Sequence, residues 1–270
     1  MYTLIFIFIF LLGTVIGSFL NVVIYRFNTG LPIVKGRSKC MTCNHKLCWY
    51  ELMPLLSYAF QNGKCHKCKS PISKQYFIVE LVTGLMFVLI SLHFLEALFI
   101  SSSLYIFLVA VFAFIFSLLI IISVYDIRHK IIPDKLVYIF IGVSLILVFV
   151  NWTTGNPLFI IPSFINLFAG PILAAPFALL FLVSKGKWMG LGDAKLILGI
   201  GWMLGFSLGI ASVILSFWIG SIISLFVMFF TKNKIGMKTE IPFAPFLIIG
   251  AFIVFLFSID LYSLCKLFQF

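Results

Sequence analysis

Two carboxylates and four thiols hold most of the chemistry that this 270-residue sequence offers. Acids are scarce, 8 Asp and Glu against 19 Lys and Arg, so an acid set in apolar surroundings needs a reason. Asp126, in Val124-Tyr125-Asp126-Ile127-Arg128, closes a long apolar run. A helix dipole disfavours negative charge there, which is poor structural placement and good placement for proton transfer. Asp193, in Gly190-Leu191-Gly192-Asp193-Ala194-Lys195, follows two glycines. It reads equally as a helix N-cap and as a functional acid beside small residues that let another backbone approach. If Asp126 and Asp193 converge, they can share a proton, because neighbouring carboxylates do not both ionise easily. One then takes a proton from water while the other donates to a scissile carbonyl, which is aspartic-type peptide hydrolysis. Asp134, after Ile132-Pro133, instead predicts a capped helix start.

Cys40-Met41-Thr42-Cys43 and Cys65-His66-Lys67-Cys68 form two CxxC pairs with residues 44–64 between them. Each pair predicts a knuckle that brings two thiolates to one ion, and two knuckles complete the tetrahedral sulfur shell that zinc accepts. Four sulfur ligands leave no position for water, so such a zinc is structural. His45 and His66 lie near enough to replace a ligand but are expected to be bystanders. Cys48 and Cys265, without CxxC partners, are expected to be ordinary small apolar residues.

These groups must be positioned by a chain that is 63% hydrophobic and 10% charged. That composition excludes a soluble globule and intrinsic disorder. It predicts an all-α polytopic membrane protein of about eight transmembrane helices carrying a zinc-ribbon-like insert. Apolar runs long enough to cross the bilayer, or nearly so, occupy residues 3–25, 77–95, 103–125, 136–151, 163–184, 194–208, 209–230 and 243–264. Three parts follow: a first transmembrane helix over 1–25, a four-cysteine metal-binding insert over 26–76, and a bundle over 77–270. Residues 26–74 carry nine Lys and Arg against the single acid Glu51, which places the insert in the cytoplasm and the N-terminus outside. The first span lacks a basic n-region and a small-residue cleavage site, so it is read as a retained helix rather than a signal peptide. Alternation then puts every basic residue except Lys266 on the cytoplasmic side. The net charge of +11 thus answers to topology and anionic lipid, with no nucleic acid needed. A reducing compartment also disfavours disulfides between the four cysteines.

In order along the chain, several segments resemble the type IV prepilin peptidase family. They are Gly17-Ser18-Phe19-Leu20-Asn21, the paired CxxC insert with Trp49-Tyr50-Glu51-Leu52 and Pro54-Leu55-Leu56-Ser57, and Val79-Glu80-Leu81-Val82-Thr83-Gly84. Asp126 through Ile132-Pro133-Asp134, the 190–195 segment and Ile241-Pro242-Phe243-Ala244-Pro245 complete the set. The resemblance implies a bacterial inner-membrane aspartic peptidase whose catalytic pair is Asp126 and Asp193. It would remove the basic leader of prepilins and pseudopilins after a glycine, on the cytoplasmic side. It further implies N-methylation of the new N-terminus with S-adenosylmethionine, linked to the Cys-bearing insert. Gly63 matches a glycine that the family associates with methylation, though a turn before the second knuckle explains it comparably well. No Rossmann-like GxGxxG follows a strand, so the donor's contacts are not legible. Two other readings stand beside this one: a peptidase without methylation, and a transporter with a regulatory zinc ribbon and acids on a proton path. Glu80 is expected either to pair with Lys195 or to sit solvated at the interface, and Asn21 to hydrogen-bond a neighbouring helix.

Overall fold

The computed structural model describes residues 2–154, 164–230 and 242–266, so the basic segment 232–238 lies outside the described residues. Every apolar run becomes helix. The elements are α1 (Tyr2–Arg26), α2 (Leu56–Phe60), α3 (Lys74–His93), α4 (Leu95–Ile100), α5 (Ser102–His129), α6 (Asp134–Thr154), α7 (Phe164–Ser184), α8 (Leu191–Leu204), α9 (Phe206–Phe230), α10 (Ala244–Phe257) and α11 (Leu261–Lys266), with a 3-10 turn at Trp49–Leu52. No strand occurs among the described residues, only two isolated bridges in the insert. Five helices among these residues are long and apolar enough to cross a membrane: α1, α3, α5, α7 and α9. The chain is a multi-pass membrane protein.

The structure refines three boundaries. The second run breaks at Phe94 between α3 and α4. The sixth and seventh runs part at Gly205, because its φ of +80° ends α8 and only glycine takes that angle freely. The eighth run stops at Ser258, whose φ is +50°, leaving α11 as a separate short helix.

Contacts group the chain into two units, residues 1–121 and 122–270. In the first, α1 packs along α3. Gly13 and Gly17 make this possible: a Cβ on Gly13 would fall 2.9 Å from the Gly84 Cα, and one on Gly17 would fall 2.8 Å from the Glu80 Cα. Small residues four apart are what let membrane helices approach this closely. Asn21 then bonds across the pair, donating to the Tyr76 carbonyl at 3.2 Å and accepting from Gln75 at 3.4 Å.

The insert is built differently. Over residues 27–73 only Glu51 and Cys65 are buried, so no apolar core holds it. Its frame is two matching loops. Cys40 N–H donates to the His45 carbonyl and Asn44 N–H to the Cys40 carbonyl; Cys65 N–H donates to the Ser70 carbonyl and Lys69 N–H to the Cys65 carbonyl. Asn44 (φ +55°) and Lys69 (φ +58°) hold the same left-handed position after each second cysteine.

In the second unit α8 is central, packed against α6, α7, α9 and α10. Its Gly201 meets α7 backbone to backbone, a Cβ there falling 2.8 Å from the Gly170 Cα. Gly201→Ala should therefore destabilise the bundle by about 1–3 kcal/mol through overpacking, read as a lower thermal midpoint of the detergent-solubilised protein. An unchanged midpoint would show that α7 can yield.

Candidate active site and metal centre

Asp126 lies one turn before the end of α5 and Asp193 in the first turn of α8. The fold brings these residues, far apart in sequence, close enough that the charge on Asp126 acts on Asp193. Both are buried, at 5% and 9% exposure. Asp126 accepts a hydrogen bond from the backbone N–H of Ala244, the first residue of α10. A helix N-terminus thus offsets the unfavourable α5 dipole at this acid. Proline at 245 has no N–H, so Ala244 supplies the donor at this end. Asp193 has a buried Oδ1 with no hydrogen-bond partner, and the dipole at its place in α8 favours negative charge. Neither the bond nor the pairing is legible in the sequence. The one signal for the Ala244 donor is the proline at a helix start.

The two glycines before Asp193 serve different ends. A Cβ on Gly192 would collide with the Ile132 side chain, 2.8 Å from its Cβ, so this glycine docks the α5–α6 connection. A Cβ on Gly190 would meet nothing nearer than the Asp193 Oδ2 at 3.8 Å, which leaves room beside that acid. Gly84, Gly199 and Gly201 are likewise filled by neighbouring helices and offer no opening of their own.

Asp134 opens α6 as expected, yet its carboxylate is occupied by Lys195 Nζ at 2.7 Å. Lys195 also lies over the Tyr138 ring, 5.0 Å from its centroid. Glu80 turns elsewhere: it accepts from Leu55 N–H at 2.8 Å and from the Ser18 hydroxyl. It pins a residue whose φ of +60° is unusual for leucine, and so ties the insert to α3. Asp134→Asn keeps an acceptor for Lys195. An exposed pair contributes at most about 1 kcal/mol, so leader removal should stay within about fivefold of the parent. A loss as deep as that at Asp126 would transfer the acid role to Asp134.

The four knuckle sulfurs lie within 4.8 Å of one another. Cys40 and Cys68 Sγ are 3.8 Å apart, about the edge of a tetrahedron with zinc–sulfur bonds of roughly 2.3 Å. Backbone N–H groups of Cys43 and Thr42 bring the Cys40 thiol down to about 6, and the Ser70 hydroxyl and N–H lower Cys68. Donors aimed at sulfur favour thiolate, the ligand form. The donor set fits a closed metal centre. Gly63 (φ +65°) turns the chain into the second knuckle; a Cβ on it would fall 2.9 Å from the Tyr58 hydroxyl oxygen. His66 belongs to no ligand cluster among the described residues, and His45 stands apart from the four sulfurs, beside Cys48 and Glu51. Cys48 and Cys265 are both exposed, and Cys48 leads into the 3-10 turn of the insert.

Residues 11–94 match the bacterial peptidase A24 N-terminal domain and residues 113–225 the type IV leader peptidase family. A prepilin leader peptidase/N-methyltransferase of Bacillus subtilis is 30% identical over 264 residues, covering 94% of this chain and 95% of the relative. One from Vibrio cholerae is 32% identical over 263 residues, 93% and 96% of the two chains. The chain belongs to the type IV leader peptidase family. A third member, from Myxococcus xanthus, is 51% identical over 81 residues, 30% of this chain and 24% of the relative. No solved structure matches. Membership displaces the transporter reading, and the first family match spans both knuckles while the second spans both acids.

Proposed function

We propose that this chain is a membrane aspartic endopeptidase that removes the basic leader of type IV prepilins and pseudopilins after a glycine. It then N-methylates the new N-terminal residue with S-adenosylmethionine as the methyl-donating substrate. Relatives over nearly the whole chain are named as prepilin leader peptidase/N-methyltransferase. What supports the peptidase chemistry is that two buried acids on separate helices lie near enough for the charge of one to act on the other.

In this reading Asp126 and Asp193 bracket one water. One carboxylate takes a water proton as the oxygen adds to the scissile carbonyl, and the other, protonated, donates to the carbonyl oxygen. The tetrahedral diol collapses as a proton passes to the leaving nitrogen, the carbon–nitrogen bond breaks, and the pair returns to its starting protonation. Gly190 leaves space for an extended substrate backbone beside Asp193. Cys40, Cys43, Cys65 and Cys68 would hold zinc as a structural cross-link of the insert. The basic loops support an external N-terminus with the insert and both acids on the cytoplasmic side, where a soluble leader would present its junction.

Purified full-length protein incubated with prepilin and methyl-labelled S-adenosylmethionine tests both steps. Leader loss with label on the mature N-terminus is expected. Cleavage without label would restrict the chain to hydrolysis, and neither event would reject the reading.

A further inference from the structure

His45, Cys48 and Glu51 offer one nitrogen, one sulfur and one oxygen, all within 4.8 Å of one another, outside the four-sulfur cluster. The first knuckle sets them up. Left-handed Asn44 reverses the chain, Leu47 N–H donates to the Ser38 carbonyl at 3.0 Å to close the hairpin, and Cys48 leads into the turn Trp49–Leu52 that carries Glu51.

The Glu51 side chain is only 1% exposed. Its Oε2 accepts from Cys48 N–H at 2.8 Å, while its buried Oε1 has no hydrogen-bond partner. No Lys or Arg pairs with it among the described residues; its ion-pair neighbour is His45, Nε2 to Oε2 3.4 Å. A buried carboxylate needs compensating positive charge and partners for both oxygens, and one imidazole with one amide, both at Oε2, leave Oε1 with neither. The separation of 3.4 Å is instead roughly the edge of a tetrahedron around an ion with bonds of about 2.1 Å to nitrogen and oxygen. Cys48 Sγ, hydrogen-bonded to the Tyr50 side chain, completes a face of three donors.

We propose that His45, Cys48 and Glu51 form a second metal site in the insert, for a borderline divalent cation of the zinc class. A mixed nitrogen, sulfur and oxygen set suits such a cation and suits calcium or magnesium poorly. Three protein ligands leave a fourth position for water or an outside ligand, unlike the closed sulfur centre beside it. The ion would neutralise Glu51 and stiffen the segment between the knuckles.

The test is metal content of full-length protein in detergent, stripped with chelator and reloaded with zinc, measured by elemental analysis alongside cobalt(II) absorption. Wild type should bind about two ions per chain and Cys48→Ala about one, with the thiolate-to-cobalt band reduced but not lost. Cys48 is exposed but leads the 3-10 turn, so the thermal midpoint of Cys48→Ala is compared with wild type as the control for folding. Retention of the sulfur centre's cobalt band in Cys48→Ala separates this proposal from the four-sulfur assignment, whereas Cys40→Ser, which disorders the insert, should release both ions. Loading of only about one ion in wild type, or unchanged loading in Cys48→Ala, would overturn the proposal. So would a loss on His66→Ala equal to that in Cys48→Ala, since it would mark adventitious surface binding.

Discussion

Asp126→Asn should abolish leader removal, and Asp193→Asn should do the same. An amide cannot accept the proton that water must release, nor donate one to the carbonyl in the way a carboxylic acid does, so either change should cost roughly 100- to 10,000-fold or more in the cleavage rate. Neither should unfold the protein. Asparagine at 126 retains an oxygen for the Ala244 N–H, and asparagine at 193, the third residue of α8, keeps the shape of the acid it replaces. The measurement is single-turnover cleavage of prepilin, with thermal unfolding in detergent as control. Substantial cleavage by either variant at normal stability would remove the paired-acid mechanism. Because the acids act on one another, the double variant should be scarcely worse than the singles, as expected of groups that work as one unit.

Cys40→Ser, or extraction of metal with a strong chelator, should disorder the insert and abolish methyl transfer while leaving most leader removal. The reason lies in how the insert is held. Only Glu51 and Cys65 are buried over residues 27–73, so a metal cross-link between the knuckles would replace a core, and metal binding would then be folding. Cys40 is the thiol most prepared for this role, brought down to about 6 by the Cys43 and Thr42 amides. A serine at 40 leaves those amides without a thiolate. The expected readouts are loss of metal by elemental analysis, rapid proteolysis between residues 30 and 73, and methyl label reduced at least about tenfold, with cleavage within about threefold. Equal loss of both activities would show instead that the metal supports the whole active fold.

Gly63 and Glu80 show how far the pattern alone could reach. The family resemblance offers Gly63 a methylation role and its place before the knuckle offers a turn, and the structure supplies a steric account: a left-handed turn closed against Tyr58. By charge, Glu80 and Lys195 could pair, but Lys195 holds Asp134 and Glu80 holds Leu55. Pairing of charges across helices depends on rotation and depth, and neither is encoded in spacing. Small residues mislead in the same way. Gly192, beside Asp193, suggests room for another backbone, yet a missing Cβ equally permits a loop of the same chain to approach, and here Ile132 does.

Apolar run length determined the helices, because a bilayer tolerates a backbone only when its hydrogen bonds are satisfied within the segment. Cysteine spacing determined the knuckles, since a CxxC loop holds its geometry locally and needs no distant partner. The convergence of Asp126 with Asp193, the Ala244 amide at the first of them, and the grouping of His45, Cys48 and Glu51 were decided only in three dimensions. Each depends on which helix or loop packs on which, and a short-range pattern is blind to contacts made between residues far apart along the chain or turned toward one another by a bend.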